Sequence, residues 1–409
     1  MHHPTGRTDT IQWFREARAL SAEIFAIPKP QAHYDRPIPL RNPICFYEGH
    51  LPAFNINTVI KLIRQQRGID EHYEQLFARG IDPDSADAAK SPTDVWPSRG
   101  CVQEYGRTAD QIIEAVLREN ELDQASLAIL EHEQMHQETL LYMFHEMPYD
   151  RKNARRPLTA TRYPLSAIRL SPRVKIPAGD VTLGGDADAF GWDNEFPAHR
   201  VHVDDFTIDR YNVTNGEYLE YMKATGANPP HFWSRRDDQW FWRGMFELVP
   251  LPLDAPVYVT QDEASAYAQW RGGRVPTEAE YHRAAFGTPS GEERLYPWGN
   301  ELPDETRGNF GFTHWDPVPV GSYPAGASVW GVHDLVGNGW EWTSTVFAGY
   351  DGFQPMKCYP VYSVDFFDGQ HFVMKGASPA TAPELIRRSF RNWFRPNYPY
   401  VYATFRCVR

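Results

Sequence analysis

The sequence predicts an α+β protein built in two parts, a helical bundle followed by a loop-rich domain of short strands. Three observations predict it. Apolar residues recur at helical spacing in four segments before residue 150. After residue 174 the chain turns to Gly, Pro, Trp and short β-branched runs. Between them lies a basic, proline-containing stretch, "YDRKNARRPLTATRYPLSAIRLSPR", which reads as a linker. The expected boundaries are a bundle over 1–155, a linker over 156–173 and a second domain over 174–409.

The bundle is read helix by helix. "TDTIQWFREARALSAEIFA" offers Thr8 or Asp9 as an N-cap, followed by apolar residues at helical spacing. "LPAFNINTVIKLIRQQRG" is a second amphipathic run, with Gly68 placed to cap its C-terminus. "RTADQIIEAVLRENE" is a third, capped by Thr108, and "DQASLAILEHEQMHQETLLYMFHEM" a fourth, beginning near Asp123. Four such helices predict an antiparallel bundle. The polar stretch 81–100 is expected to be a long loop at one end of it. In the second part, "VKIPAGDVTLGG" and "HRVHVDDFTIDRYNVT" predict strands. "TNGEYLEYMKATG" and "TQDEASAYAQWRGG" predict two helices, after which loops dominate.

Composition narrows the function classes. Of 409 residues, 42% are hydrophobic and 14% aromatic, enough for packed cores. A net charge of -12 argues against nucleic acid or an anionic membrane as partner. The 13 tryptophans exceed what folding usually requires, and some of them suit an apolar or cation-binding pocket. Cys45, Cys101, Cys358 and Cys407 are far apart and form no CxxC pair, so zinc-ribbon and thioredoxin readings fail. With no apolar signal segment near the start, a cytoplasmic protein with reduced thiols is the expectation.

Within the fourth helix, "HEQMH" places His132 and His136 at i and i+4, on one helix face. From the spacing alone two readings stand: a metal-binding pair, or two histidines on a polar helix. A zinc protease would use Glu133 as general base and need a further ligand. His50, between Gly49 and Pro52, is expected at the start of the second helix, from which it can reach the fourth. One histidine plus His-x-x-x-His makes a three-nitrogen site with positions left open. Neutral imidazoles suit Fe(II), zinc or copper.

Most of 174–409 resembles the formylglycine-generating-enzyme (sulfatase-modifying-factor) fold, which is C-type-lectin-like. The residues that carry the resemblance are "IPAGDVTLGG", "NEFPAHRVHVDDFTIDRYNVTNGEY", "GGRVPTEAEYHRAA", "YPWGN", "GVHDLVGNGWEWT" and the terminal "FRCVR". The copper-binding cysteine pair of the formylglycine enzymes has no counterpart. Together, the "GH" of Gly49–His50, the "HEQMH" motif and this second domain resemble the ergothioneine sulfoxide synthase family, in which the first domain is a DinB-like four-helix bundle. These are non-heme iron enzymes that use O2 to join a sulfur donor to C2 of the imidazole of hercynine. The resemblance implies that His50, His132 and His136 hold Fe(II), with Glu133 supporting the site rather than acting as a protease base.

The resemblance also assigns the substrate end, "RRSFRNWFRPNYPYVYATFRCVR". Asn392 and Trp393 match the pair that contacts hercynine, and a tryptophan face attracts a trimethylammonium. Where mycobacterial members carry an Asp and an Arg for the charged ends of γ-glutamylcysteine, this chain has Phe394 and Tyr398. A neutral aromatic surface suits a sugar, so the resemblance points to the selenoneine synthase branch, which joins hercynine to a selenosugar. The alternative is ergothioneine sulfoxide synthesis from cysteine or γ-glutamylcysteine. Arg99 matches a loop whose arginines bind donor carboxylates, and Tyr359 or Tyr362 is placed to be the catalytic tyrosine. Met135 stands where the family has a polar residue. A zinc hydrolase using Glu133, and a non-catalytic ligand-binding module, are the remaining readings.

Overall fold

Asp9, Asp70 and Asp123 each begin a helix in the computed structural model, which describes residues 2–78, 96–119, 123–153 and 171–409. In each case the aspartate side chain accepts a hydrogen bond from a backbone N–H of the first turn, which would otherwise lack a partner. The helices are α1 (Thr10–Ile24), α2 (Ile44–Asn55), α3 (Glu71–Leu76), α4 (Arg99–Glu119) and α5 (Gln124–Glu146). α1 packs on α5 and α4, and α2 on α4 and α5. Trp13, Phe14, Leu51, Val102, Ile113, Leu127, Leu140 and Phe144 form the packed interior. These elements form one unit, Met1–Arg156 together with Asp188–Phe190 and Met356–Pro360.

Three boundaries differ from the sequence reading. α2 begins at Ile44, so His50 lies in mid-helix rather than at its start. Pro52 is tolerated because the helix does not stay regular: it runs on as a π-helical segment, Ile56–Ile63. Gly68 therefore lies beyond the helical run and is not its cap. It sits against the Glu74 carboxylate, where a side chain has no room. Thr108 lies inside α4, its hydroxyl bonded back to the Glu104 carbonyl at 3.2 Å, and is not a cap. Most of the expected loop 81–100 lies outside the described residues, as does most of the expected linker.

The second unit comprises Pro157–Ala187, Gly191–Pro355 and Val361–Arg409. Its strands are β1 (Arg173–Ile176), β2 (Gly179–Leu183), β3 (His199–Val203), β4 (Phe206–Asp209), β5 (Trp233–Arg236), β6 (Gln239–Arg243), β7 (Leu248–Pro250), β8 (Gly339–Val346), β9 (Phe372–Ala377), β10 (Asn392–Phe394) and β11 (Ala403–Thr404). They form four small sheets: β1–β4, β2–β3, β5–β6–β7 and β10–β9–β8–β11. Ile176, Val181, Ile208, Tyr281, Leu335 and Val408 centre one core. Arg406 and Glu341, both without side-chain exposure, pair at 2.6 Å.

The helices are α6 (Asn215–Thr225), α7 (Gln261–Trp270) and α8 (Glu278–Phe286). Each opens with a reciprocal Thr-x-x-Glu box: Thr214 with Glu217, Thr260 with Glu263, Thr277 with Glu280. Only two helices were expected here. α8 is the third, and its signal was the same box in "PTEAEYHRAAF". β10 holds Asn392 and Trp393 at a sheet edge, with Asn392 opposite Met374 and Trp393 opposite Val373.

Candidate metal centre

α5 is buried around most of its circumference, which is unusual for a helix so rich in Glu, Gln and His. Its polar groups therefore need partners or a ligand. Glu131 pairs with His3 at 2.9 Å. Glu133 accepts from Arg18 Nη1 at 2.8 Å and from the Ser21 hydroxyl at 2.5 Å, and Arg18 also pairs with Asp110 at 3.0 Å. Burial raises the Asp110 acid, and the two carboxylates together hold the Arg18 guanidinium above its ordinary value against the cost of its own burial. Glu133 is thus tied to α1.

His132 and His136 meet His50 of α2. The imidazole centroids are 5.2 Å apart for His50 and His132, 4.9 Å for His50 and His136, and 4.4 Å for His132 and His136. One ring nitrogen from each lies within 4.8 Å of the others. His132 Nε2 and His136 Nε2 are 3.2 Å apart. Burial, then the neighbouring charges, hold both imidazoles well below the usual histidine range, so they are neutral, as a metal ligand must be. His50 Nδ1 contacts the Phe77 carbonyl at 2.8 Å. A carbonyl only accepts, so Nδ1 carries the proton and Nε2 keeps its lone pair for the site. Gly49 makes this possible: a Cβ there would stand 2.5 Å from the Phe77 ring. The donor set fits a divalent transition metal with three neutral nitrogens. His50 and His132 are buried and His136 is half-buried, so the cluster has one side nearer solvent.

Two aromatic groups missing from the sequence reading, or undecided in it, complete this cluster. Phe54 stacks on His132, with centroids 3.5 Å apart and planes at 11°. It follows His50 by four residues, the spacing that puts both on one helix face, and that was its signal. Tyr359 stands edge-on to Phe54 at 5.0 Å and to His132 at 6.1 Å. Tyr362 is elsewhere: in the second unit it stacks on Trp192 at 4.1 Å and meets Trp393 edge-on at 5.4 Å.

The other substrate-end residues lie in the second unit. Trp393 is half-buried, stacked on Phe347 at 4.2 Å and 8°, with Phe366 at 5.4 Å. Asn392 Oδ1 accepts from the Trp393 amide at 2.8 Å. Phe394 and Tyr398 stack on each other at 5.0 Å and 18°. Arg99, in the first unit, donates to both Glu48 carboxylate oxygens, at 2.9–3.1 Å, and to the Phe25 carbonyl at 2.9 Å. A donor carboxylate would have to compete with Glu48 for that guanidinium. No disulfide joins the four cysteines. No helix among the described residues is long and apolar enough to cross a membrane.

Comparison with known proteins places the second unit in a family. Residues 164–409 match the sulfatase-modifying factor enzyme 1-like domain. Hercynine oxygenase of Mycolicibacterium smegmatis is 40% identical over 59% of this chain and 62% of its own length. Ergothioneine biosynthesis protein 1 of Neurospora crassa is 30% identical over 92% of this chain and 54% of its own length. The mouse protein named inactive C-alpha-formylglycine-generating enzyme 2 is 31% identical over 47% of this chain and 76% of its own. The chain spans only about half to three-fifths of the length of its hercynine oxygenase and ergothioneine biosynthesis relatives. The chain belongs to the sulfatase-modifying factor enzyme 1-like family.

Proposed function

We propose that this protein is a non-heme Fe(II), O2-dependent enzyme that forms a carbon–selenium or carbon–sulfur bond at imidazole C2 of hercynine, with a selenosugar as the preferred donor. The observation that carries this reading is the convergence of His50, His132 and His136, with the Tyr359 ring beside His132. The helical unit is read as a DinB-like bundle that holds the iron. Bound there, Fe(II) would supply redox chemistry with O2. The chain's own residues do the rest. Trp393 takes the trimethylammonium on its ring face, and Asn392 hydrogen-bonds the imidazole or carboxylate. The hydroxyl of Tyr359 moves a proton near the reacting carbon.

The donor preference rests on Phe394 and Tyr398, which offer stacked rings where charged partners for an amino-acid thiol would be needed. Bringing a free carboxylate there without a partner costs on the order of a few kcal/mol. A sugar face and its hydroxyls suit two such rings. Ergothioneine sulfoxide synthesis is the second reading, supported by the names of the relatives. A zinc hydrolase is disfavoured because Arg18 and Ser21 both hold Glu133 Oε1 and tie the carboxylate to α1. A non-catalytic module would have little use for three converging imidazoles.

The test is competition: iron-loaded protein with hercynine, O2, and equal concentrations of a 1-selenosugar and γ-glutamylcysteine, with products identified by mass. Selenoneine-type product in excess is expected. A dominant γ-glutamyl hercynylcysteine sulfoxide would establish the sulfur reading instead.

A further inference from the structure

The short run 387–391, immediately before Asn392 and Trp393, is held by a cluster of buried charges. Glu195, with no exposure, accepts from Arg387 Nε at 2.9 Å and Nη2 at 2.6 Å, and from the Ser389 hydroxyl at 2.6 Å. Its remaining acceptor capacity takes the Trp192 amide at 2.8 Å. Glu278, 1% exposed, pairs with Arg391 Nε at 3.2 Å and Lys375 Nζ at 3.5 Å, and the Tyr350 hydroxyl lies 3.3 Å away. Lys375 donates to the carbonyls of Arg388 at 2.9 Å and Phe390 at 2.6 Å. Arg391 donates to the carbonyls of Asn194 at 3.0 Å and Ala348 at 2.9 Å.

Buried ion pairs are poor stabilisers. The desolvation of each charge largely offsets the attraction, and their best-supported use is to fix one arrangement among several. β10 needs such a device. It is three residues long, sits at a sheet edge and pairs only with β9. Three ladder positions do not by themselves hold a strand in register. A link from the charges to the tryptophan is also visible. The Arg391 guanidinium lies over Phe347 at 5.1 Å, and Phe347 is the ring on which Trp393 stacks.

We infer that Glu195 and Glu278, acting through Arg387, Ser389, Lys375 and Arg391, are positioning residues that set where Asn392 and Trp393 meet the substrate. The inference rests on the reading of that pair as the hercynine contact. It assigns a role to groups that touch no substrate.

The test uses the full-length, iron-loaded protein, with steady-state kinetics in hercynine and in donor, and iron content measured in parallel. Glu278→Gln and Arg391→Lys should each raise the KM for hercynine about tenfold, as expected when a substrate-orienting group shifts by a fraction of an ångström. Iron content and donor KM should stay at wild-type levels. Glu278→Gln/Lys375→Met, which removes both signs of charge, should recover part of the lost stability but not the hercynine KM. A purely structural network would recover both together, and that result overturns the inference. So does a wild-type hercynine KM in the folded single variants, provided that Trp393→Ala raises it. If Trp393→Ala also leaves it unchanged, the substrate reading falls instead. Should Glu278→Gln fail to fold, Ser389→Ala, which removes one bond to Glu195, carries the same test. A smaller rise in hercynine KM is expected from it, and no rise counts against the clamp.

Discussion

Glu133→Gln separates an iron oxygenase from a hydrolase at one position. The carboxylate is 3% exposed at its side chain and holds Arg18 and Ser21, and Arg18 is 21% exposed. The substitution reduces the Arg18 ion pair to a hydrogen bond onto a neutral amide and turns the Ser21 bond into a neutral one, at a cost of about 1 kcal/mol each. It also places an amide donor where Oε2 meets no hydrogen-bond partner among the described residues, about 1 kcal/mol more. Relief of the repulsion between Glu133 and Asp110, which contributes to raising the Asp110 acid, works the other way. The net loss of unfolding free energy should be about 2 kcal/mol, and urea unfolding of the metal-loaded protein measures it. The same variant, saturated with iron, should turn over hercynine within about threefold of wild type, because nothing in the proposed chemistry passes a proton to Glu133. A general base at that position would be worth about 10²–10⁴ in rate. A collapse of turnover on that scale with stability intact would refute the structural role and give Glu133 the base role that a hydrolase requires.

Three further outcomes are expected. Alanine at His50, His132 or His136 should each lower iron content, measured by elemental analysis, to roughly a tenth of wild type. Trp393→Ala should weaken hercynine binding about tenfold by calorimetry, and histidine binding less, because a primary ammonium is better hydrated than a trimethylammonium. Burial pushes the Asp334 acid up to about 6 from 3.8. Between those values the native state binds more protons than the unfolded chain, so this group's contribution to stability falls as pH rises through the window. Asp334→Asn removes that loss. It keeps an acceptor for the Gly321 amide, and asparagine tolerates the positive φ of 53° found there. Its stability should match wild type near pH 4 and exceed it at pH 7 in unfolding titrations.

The pairing of the two histidines on α5 was legible in the sequence because it depends on spacing. His132 and His136 share a face by arithmetic, and aspartates caught two of the main helix starts, Asp9 and Asp123. The position of His50 within α2 was not legible. Pro52 argues for a helix start in any local reading, and only tertiary packing and the π-helical continuation make a mid-helix proline acceptable. The start of α4 was read ten residues late, since Thr108 resembles a cap until the helix in front of it is seen. Tyr359 and Tyr362 are three residues apart in a segment without helix or strand, and no periodicity could say which one reaches His132. The buried charges around 387–391 come from sequence positions nearly two hundred residues apart, Glu195 and Arg387 among them, beyond the reach of any local pattern.

The glycine before His50 has a meaning that its name as a helix breaker hides. Its missing side chain admits the Phe77 ring, and the Phe77 carbonyl holds the proton on His50 Nδ1. Enlarging position 49 would push that carbonyl away without touching a ligand. The imidazole would then be free to exchange tautomers, and in the other tautomer the proton occupies Nε2, the nitrogen that would otherwise be open to a metal. An empty volume one residue upstream thereby decides which end of the ring is a base, so that this Gly-His pair encodes a protonation state as well as a ligand.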